Sequence, residues 1–256
     1  MLFRSAAIAQ GLLKSGFSQA SDITITKRNT ATLAALQQQG VHVTSDNAAA
    51  ISQADVVLVA LKPYNVREIL TEFKSSFDPK RQLLISVVTG VFIDELEAIV
   101  GAGAPVFRAM PNTAIAIQES MTCICQKNAS AAQIEWVTSL FNQVGVAVSI
   151  DEKLMDAATV LGACGIAYAL RFIRANIQGG IEIGFDVRTA NLIAAQTVKG
   201  AAELLIRGGR HPEEEIDKVT TPKGCTIAGL NEMEHRGFSS SLIKGITASY
   251  DKIING

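Results

Sequence analysis

The chain has 256 residues, 48% hydrophobic and 18% charged, with a formal net charge of −1. That is enough apolar material for one large domain or two modest ones, and no basic run marks a nucleic-acid partner. No apolar run reads as long enough to span a bilayer, and no secretory leader pattern opens the chain.

The elements follow in chain order. Ser5–Lys14 reads as a helix, with Ala6, Ala7, Ile8, Ala9, Leu12 and Leu13 apolar and Gly16 just past its end. "DITIT" (22–26) is a short β-branched run, "NTATLAALQQQG" (29–40) a helix ending at glycine, and "VHVT" (41–44) a strand. "ADVVLVAL" (54–61) is continuously apolar, as expected of a strand covered on both faces. "QLLISVVTG" (82–90) and "PVFRAM" (105–110) repeat the pattern, with helical stretches near 65–75 and 93–100 between them. "MTCICQ" (121–126), a helix near 130–142 and "VGVAVSI" (144–150) close the series. Alternating strands and helices predict a mostly parallel, Rossmann-like sheet with helices on both sides. From Asp151 the strand signal stops, and long helical patterns run between Gly179–Gly180, Gly184, Gly208–Gly209 and Gly237. The chain therefore divides near residue 150 into an α/β domain, 1–150, and an all-helical domain, 151–256. The helices carry more apolar face than one bundle needs, which predicts burial against a second copy.

Cysteines 123, 125, 164 and 225 lack a disulfide spacing and read as reduced thiols of a cytoplasmic protein, with Cys123 and Cys125 as strand packing. His42, His211 and His235 are scattered, and no metal pattern is visible. Three polar turns remain. In "VTTPKGCTIAGL" (219–230), Pro222 makes Thr221 extended and Gly224 permits a tight turn before a helix near Cys225. The amides of Gly224, Cys225 and Thr226, with hydroxyls at Thr220, Thr221 and Thr226, would suit a small carboxylate. The same spacing also describes an ordinary helix start. "ALKPYN" (60–65) and "RAMPNTAIAI" (108–117) both follow apolar strands, where open α/β sheets bind ligands.

These stretches, with "DEKLMDAATVLGACGIAYAL" (151–170), resemble the pyrroline-5-carboxylate reductase family, from about Ala6 to the C-terminus. The resemblance implies a Rossmann domain followed by a helical dimerisation domain. It also implies hydride transfer from NAD(P)H to the C=N bond of 1-pyrroline-5-carboxylate, giving L-proline. By that resemblance Thr226 contacts substrate as the catalytic residue, and Thr221, Gly224, Cys225 and Thr226 hold its carboxylate. Asn47, Ala60, Lys62 and Pro63 line the cofactor, and Val87, Val88 and Thr89 lie near the nicotinamide. The chain departs from the family at Lys223, where a glycine is usual, and at Gly162-Ala163-Cys164, where two serines are usual. A non-catalytic oligomeric homologue, or a related imine or β-hydroxy-acid reductase, is the competing expectation.

Lys27 and Arg28 follow the second strand of such a fold, where NAD-specific sites place an acid. Their charge predicts NADPH, with NADH as the possible substitute. Aligned by "AAIAQGLL", Leu2 falls at the second glycine of the Gly-x-Gly-x-x-Gly phosphate turn and Ser5 at the third. The first glycine and the first strand would precede Met1. The expectation is a truncated chain, a gap inside the sheet and an impaired cofactor domain.

Overall fold

The computed structural model describes residues 4–255. Leu2, aligned to the second glycine of the phosphate turn, lies outside the described residues.

Helix α1 (Arg4–Ser15) opens the fold and ends where Gly16 takes φ +74°. Strand β1 (Thr24–Thr26) leads into a 3₁₀ turn over Thr30–Leu33 and then α2 (Ala34–Gln38). The stretch 29–40 is thus helical in two pieces. Asn29 starts the first by accepting the amide of Ala31, its Oδ1 at 3.1 Å. Then come β2 (His42–Thr44), α3 (Asn47–Gln53), β3 (Val56–Val59), α4 (Pro63–Glu72), β4 (Leu83–Ser86), α5 (Ile93–Val100) and β5 (Val106–Pro111). Strand β6 (Ser120–Lys127), helix α6 (Ala131–Asn142) and strand β7 (Gly145–Ser149) complete the α/β part.

Among the described residues the strands form two sheets. Strands β1 and β2 pair in parallel, and the other five run in the order β3-β4-β5-β6-β7. The β3, β4 and β5 pairings are parallel, β6 is antiparallel to β5, and β7 is parallel to β6. Successive residues of the inner strands serve opposite cores. Leu84 and Val106 join Val66, Leu70 and Leu96 of the helices on one face. Ile85 and Phe107 join Ile8, Leu12, Val137 and Phe141 on the other. Helix α1 also serves a third cluster, where Ala6 and Ala9 meet Ile25, Leu36 and Val41 of the two-stranded part. Its small residues let one helix bridge both sheets. At Gly11 a Cβ would lie 2.2 Å from Val144 Cγ1, so the approach needs glycine there.

The apolar run 54–61 behaves differently from the expectation of cover on both faces. Only Val59 of β3 is buried, and Val56, Val57 and Leu58 are half-buried. Among the described residues the strand sits at the edge of its sheet, so one side has no neighbouring strand to complete its burial.

One compact unit ends at Cys164 and a second begins at Gly165. The α/β unit continues past β7 because Met155, in the one-turn helix α7 (Met155–Ala158), is buried in the first core cluster. Thr159–Cys164 follows as a π-helical turn.

The second unit is helical throughout: α8 (Gly165–Glu182), α9 (Val187–Gly208), α10 (Pro212–Lys218), α11 (Cys225–His235) and α12 (Phe238–Asn255). Asp186 caps α9 by accepting the amides of Arg188 and Thr189, and the Thr189 hydroxyl first, then its amide, hold the carboxyl below the usual range. Gly180 and Ala190 bring α8 and α9 close, and the hydroxyls of Tyr168 and Ser249 meet at 2.6 Å. The helical run Glu152–Glu182 is long and apolar enough to cross a membrane by length and composition. The sequence expectation of no such run is corrected on this point, because its glycines do not break the helix. Charges at Lys153, Asp156, Arg171 and Arg174 interrupt it, and a single such helix is weak evidence for a span.

Candidate functional site

Two groups of the expected site residues lie on the α/β unit. Strands β3 and β4 pair Val59 with Ser86, so the turns after them lie side by side at one edge. Ala60, Lys62 and Pro63 occupy the first turn, and Val87, Val88 and Thr89 the second. Lys62 is the N-cap of α4 with no side-chain cap, and Pro63 at the first helical position presets the backbone. Val87 and Val88 are buried, whereas Thr89 is half-buried. Gly90 turns the loop with φ +76°.

The second group belongs to the two-stranded sheet. Lys27 follows β1, and its amide donates to the carbonyl of Thr44 at 3.0 Å. Its Nζ donates to Thr32 Oγ1 at 2.7 Å, which orients the ammonium beside the loop leaving β1. Arg28 is exposed next to it, and Asn47 is the first residue of α3, half-buried. Cations rather than an acid thus stand at the end of β1, as the 2′-phosphate of NADP would require.

The third group lies on the helical unit. Helix α11 starts at Cys225 with Gly224 as N-cap, and no side chain caps it. The amides of Cys225 and Thr226 are therefore available to an anion, but the Gly224 amide, expected to join them, donates to the Thr221 carbonyl at 2.9 Å because the turn closes on itself. Gly224 packs closely on the turn: a Cβ there would lie 2.5 Å from Thr221 Oγ1, which would have to rotate away. Thr221 and Cys225 are exposed and Thr226 is half-buried. The hydroxyl of Thr220 instead donates to the carbonyl of Ile216 at 2.8 Å, so that hydrogen belongs to the end of α10. Lys223 takes φ +60°, a left-handed conformation that a glycine adopts without a side-chain penalty.

No catalytic acid–base pair emerges at these turns. Burial, with the Glu152 charge second, pushes the Cys125 thiol up to about 11, and burial raises Cys123. Both thiols stay neutral at ordinary pH, which fits packing rather than nucleophilic chemistry. Among the described residues no three His, Cys, Asp or Glu side chains come together as a metal site.

Sequence reasoning placed Asn112 in the polar turn after β5 without finding its partners, and it missed Arg108 altogether. Asn112 accepts the amide of Ala114 through Oδ1 and donates through Nδ2 to the Gly162 carbonyl at 3.2 Å. Arg108, 2% exposed on β5, pairs with Glu152 at 2.7 Å. A lone arginine inside the apolar run "PVFRAM" was the available signal, since a buried charge demands a partner. Nothing in the spacing named Glu152 as that partner.

The family described as pyrroline-5-carboxylate reductase dimerisation matches residues 152–255. The family described as NADP oxidoreductase, coenzyme F420-dependent, matches residues 5–90. Pyrroline-5-carboxylate reductase 1 of Dictyostelium discoideum is 45% identical over 96% of this chain, which spans 47% of that relative's length. Pyrroline-5-carboxylate reductase 2 of the same organism is 39% identical over 96% of this chain and 87% of its own. A pyrroline-5-carboxylate reductase structure from Coxiella burnetii superposes with a TM-score of 0.92 at 26% identity, covering 98% of this chain and 94% of its own. A Plasmodium falciparum pyrroline carboxylate reductase with NADP bound gives 0.83 at 26% identity, covering 96% and 92%.

Proposed function

The chain belongs to the pyrroline-5-carboxylate reductase family, and we propose that it reduces the C=N bond of 1-pyrroline-5-carboxylate to L-proline with NADPH. The observation that carries this reading is the uncapped start of α11 behind Pro222-Lys223-Gly224, with Thr226 in its first turn. Those amides receive the substrate carboxylate, beside Thr221, Gly224 and Cys225, and the Thr226 hydroxyl hydrogen-bonds the ring nitrogen. Reduced nicotinamide, when bound, supplies the hydride. The protein's share is orientation: it fixes the ring by its carboxylate and excludes alternative poses. A protonated ring nitrogen makes the carbon more electrophilic, and a neutral hydroxyl can share that hydrogen bond without being an acid itself. The absence of a buried carboxylate or histidine from the expected turns suits a reaction that asks for placement more than proton transfer.

In this reading the α/β domain, 1–150, holds the nucleotide. Lys27 and Arg28 face the 2′-phosphate, which favours NADPH over NADH. Asn47, Ala60, Lys62 and Pro63 line the cofactor, and the loop of Val87, Val88 and Thr89 borders its nicotinamide. The helical domain, 151–256, holds substrate and joins a second copy of the chain. Four free thiols suit the reducing conditions of the cytoplasm.

Titration with NADPH, followed by nucleotide fluorescence, separates this reading from a non-catalytic oligomer of the same fold. A reductase saturates with NADPH and binds NADH less tightly. A chain that assembles but binds neither nucleotide refutes the proposal.

A further inference from the structure

The loop 87–92, which the functional reading places beside the nicotinamide, is fastened at both ends. At its start the amide of Val87 donates to the carbonyl of Val59 at 3.0 Å. The amide of Val88 donates to Ser86 Oγ at 3.3 Å. At its exit the loop becomes α5, whose N-cap is Phe92, a residue with no group that can cap a helix. The oxygen comes from a residue 59 positions on: Glu152 Oε1 accepts the Ile93 amide at 2.8 Å. The same oxygen accepts from Arg108 Nη1 at 2.7 Å. The Arg108 guanidinium also lies 5.0 Å from the centroid of the Phe92 ring.

This arrangement is poorly suited to stability alone. Arg108 is 2% exposed, and its Nε and Nη2 find no hydrogen-bond partner. It also stands beside the positive end of a helix dipole, which repels it. A buried ion pair of this kind is often no better than apolar side chains of the same volume. What it does supply is a fixed point. One carboxylate caps α5, neutralises Arg108 and holds the residue at which loop 87–92 ends.

We propose that Glu152, anchored by Arg108, is a positioning residue for hydride transfer: it clamps the exit of loop 87–92 and so fixes Val88 and Thr89 at the carboxyl end of β4. The inference rests on the functional reading above. Glu152 touches neither substrate nor cofactor in it and acts through the loop. Small displacements of a reacting group from its productive geometry are costly in rate, so the clamp governs turnover more than nucleotide affinity.

The test compares wild type, Glu152→Gln and Glu152→Ala. The glutamine keeps an oxygen that can accept from Ile93 and Arg108, whereas alanine removes the cap. Amide hydrogen exchange of the nucleotide-free protein is measured first. In Glu152→Ala, exchange in 87–93 rises about tenfold or more while 106–111 stays as protected as in wild type, the mark of local opening. In Glu152→Gln, which keeps the oxygen but no longer neutralises Arg108, it rises less than in Glu152→Ala. In turnover, Glu152→Ala lowers kcat about tenfold with the KM for NADPH changed less than about twofold, and Glu152→Gln regains most of the rate. Unchanged exchange in 87–93 overturns the clamp. Raised exchange with unchanged kcat overturns its role in the reaction, and a glutamine variant as impaired as alanine overturns the shared-oxygen account. If 106–111 loosens together with 87–93, the residue is merely structural and the proposal fails. A wild-type protein without turnover refutes the functional reading, and the positioning role with it, while exchange still decides whether the clamp exists.

Discussion

The two compact units differ in how they bury their apolar side chains. Among the described residues, nearly all the buried apolar ones belong to the α/β unit that ends at Cys164; in the helical unit only Ala190 and Ala194 are buried. That unit leaves Leu170, Ile183, Leu192, Leu204 and Ile206 more than half exposed. The α/β unit folds around a core of its own. The helical unit, taken as a single copy, gains too little apolar burial to offset the entropy of ordering so many residues. Large exposed apolar faces mark association surfaces. The difference teaches that the α/β unit buries an apolar core of its own, whereas the helical unit leaves apolar faces that a second copy of the chain would cover.

The largest expected effects come from breaking each unit in its own way. Phe107→Ala, at a site 0% exposed, should cost about 3–5 kcal/mol in denaturant unfolding. The shift should not depend on protein concentration. Leu192→Glu leaves the α/β core untouched and places a charge on the exposed face of α9. It should lower the mass seen by sedimentation and make the thermal midpoint concentration-dependent. An unchanged mass would mean that Leu192 lies off the interface.

A second contrast is chemical. Thr226→Ala should lower kcat/KM about tenfold or more, the size expected for a hydrogen bond lost at a reacting centre, and leave NADPH affinity nearly intact. The double variant Lys27→Ala/Arg28→Ala should do the reverse on the α/β side, raising the KM for NADPH much more than that for NADH. Equal effects on the two cofactors would remove these cations from 2′-phosphate recognition.

The smallest effect concerns stability at low pH. The Glu97 carboxyl is held down to about 2, first by a hydrogen bond from Lys127, then by the Gly103 amide and Asn128. Because its folded value lies below the ordinary 4.5, its contribution is complete above about 4.5 and fades as pH falls through about 2. Glu97→Gln should therefore narrow the difference in stability between neutral and acid solution. Unfolding curves at several pH values would show it, and parallel curves for the two proteins would contradict it.

Much of this fold was legible in the sequence, and for identifiable reasons. Helix α5 occupies 93–100 as read, because apolar periodicity and the acids Asp94 and Glu95 in its first turn agree. The start of α11 at Cys225 follows from Pro222 and Gly224. Strand β3 was recognisable as a strand but not as an edge, since hydrophobicity does not reveal which neighbours are present. The Arg108–Glu152 pair was hidden because its members stand 44 positions apart and their meeting depends on sheet order. The Asn112 bond to Gly162 was hidden likewise: it joins a strand end to a helical carbonyl 50 positions away.

The central claim is that this chain reduces 1-pyrroline-5-carboxylate with NADPH. Its most direct test is a turnover measurement on the full chain that follows NADPH loss and L-proline formation together. The account predicts saturable consumption of NADPH matched one for one by L-proline. NADPH that remains unconsumed in the presence of substrate, or is consumed without proline appearing, would contradict it.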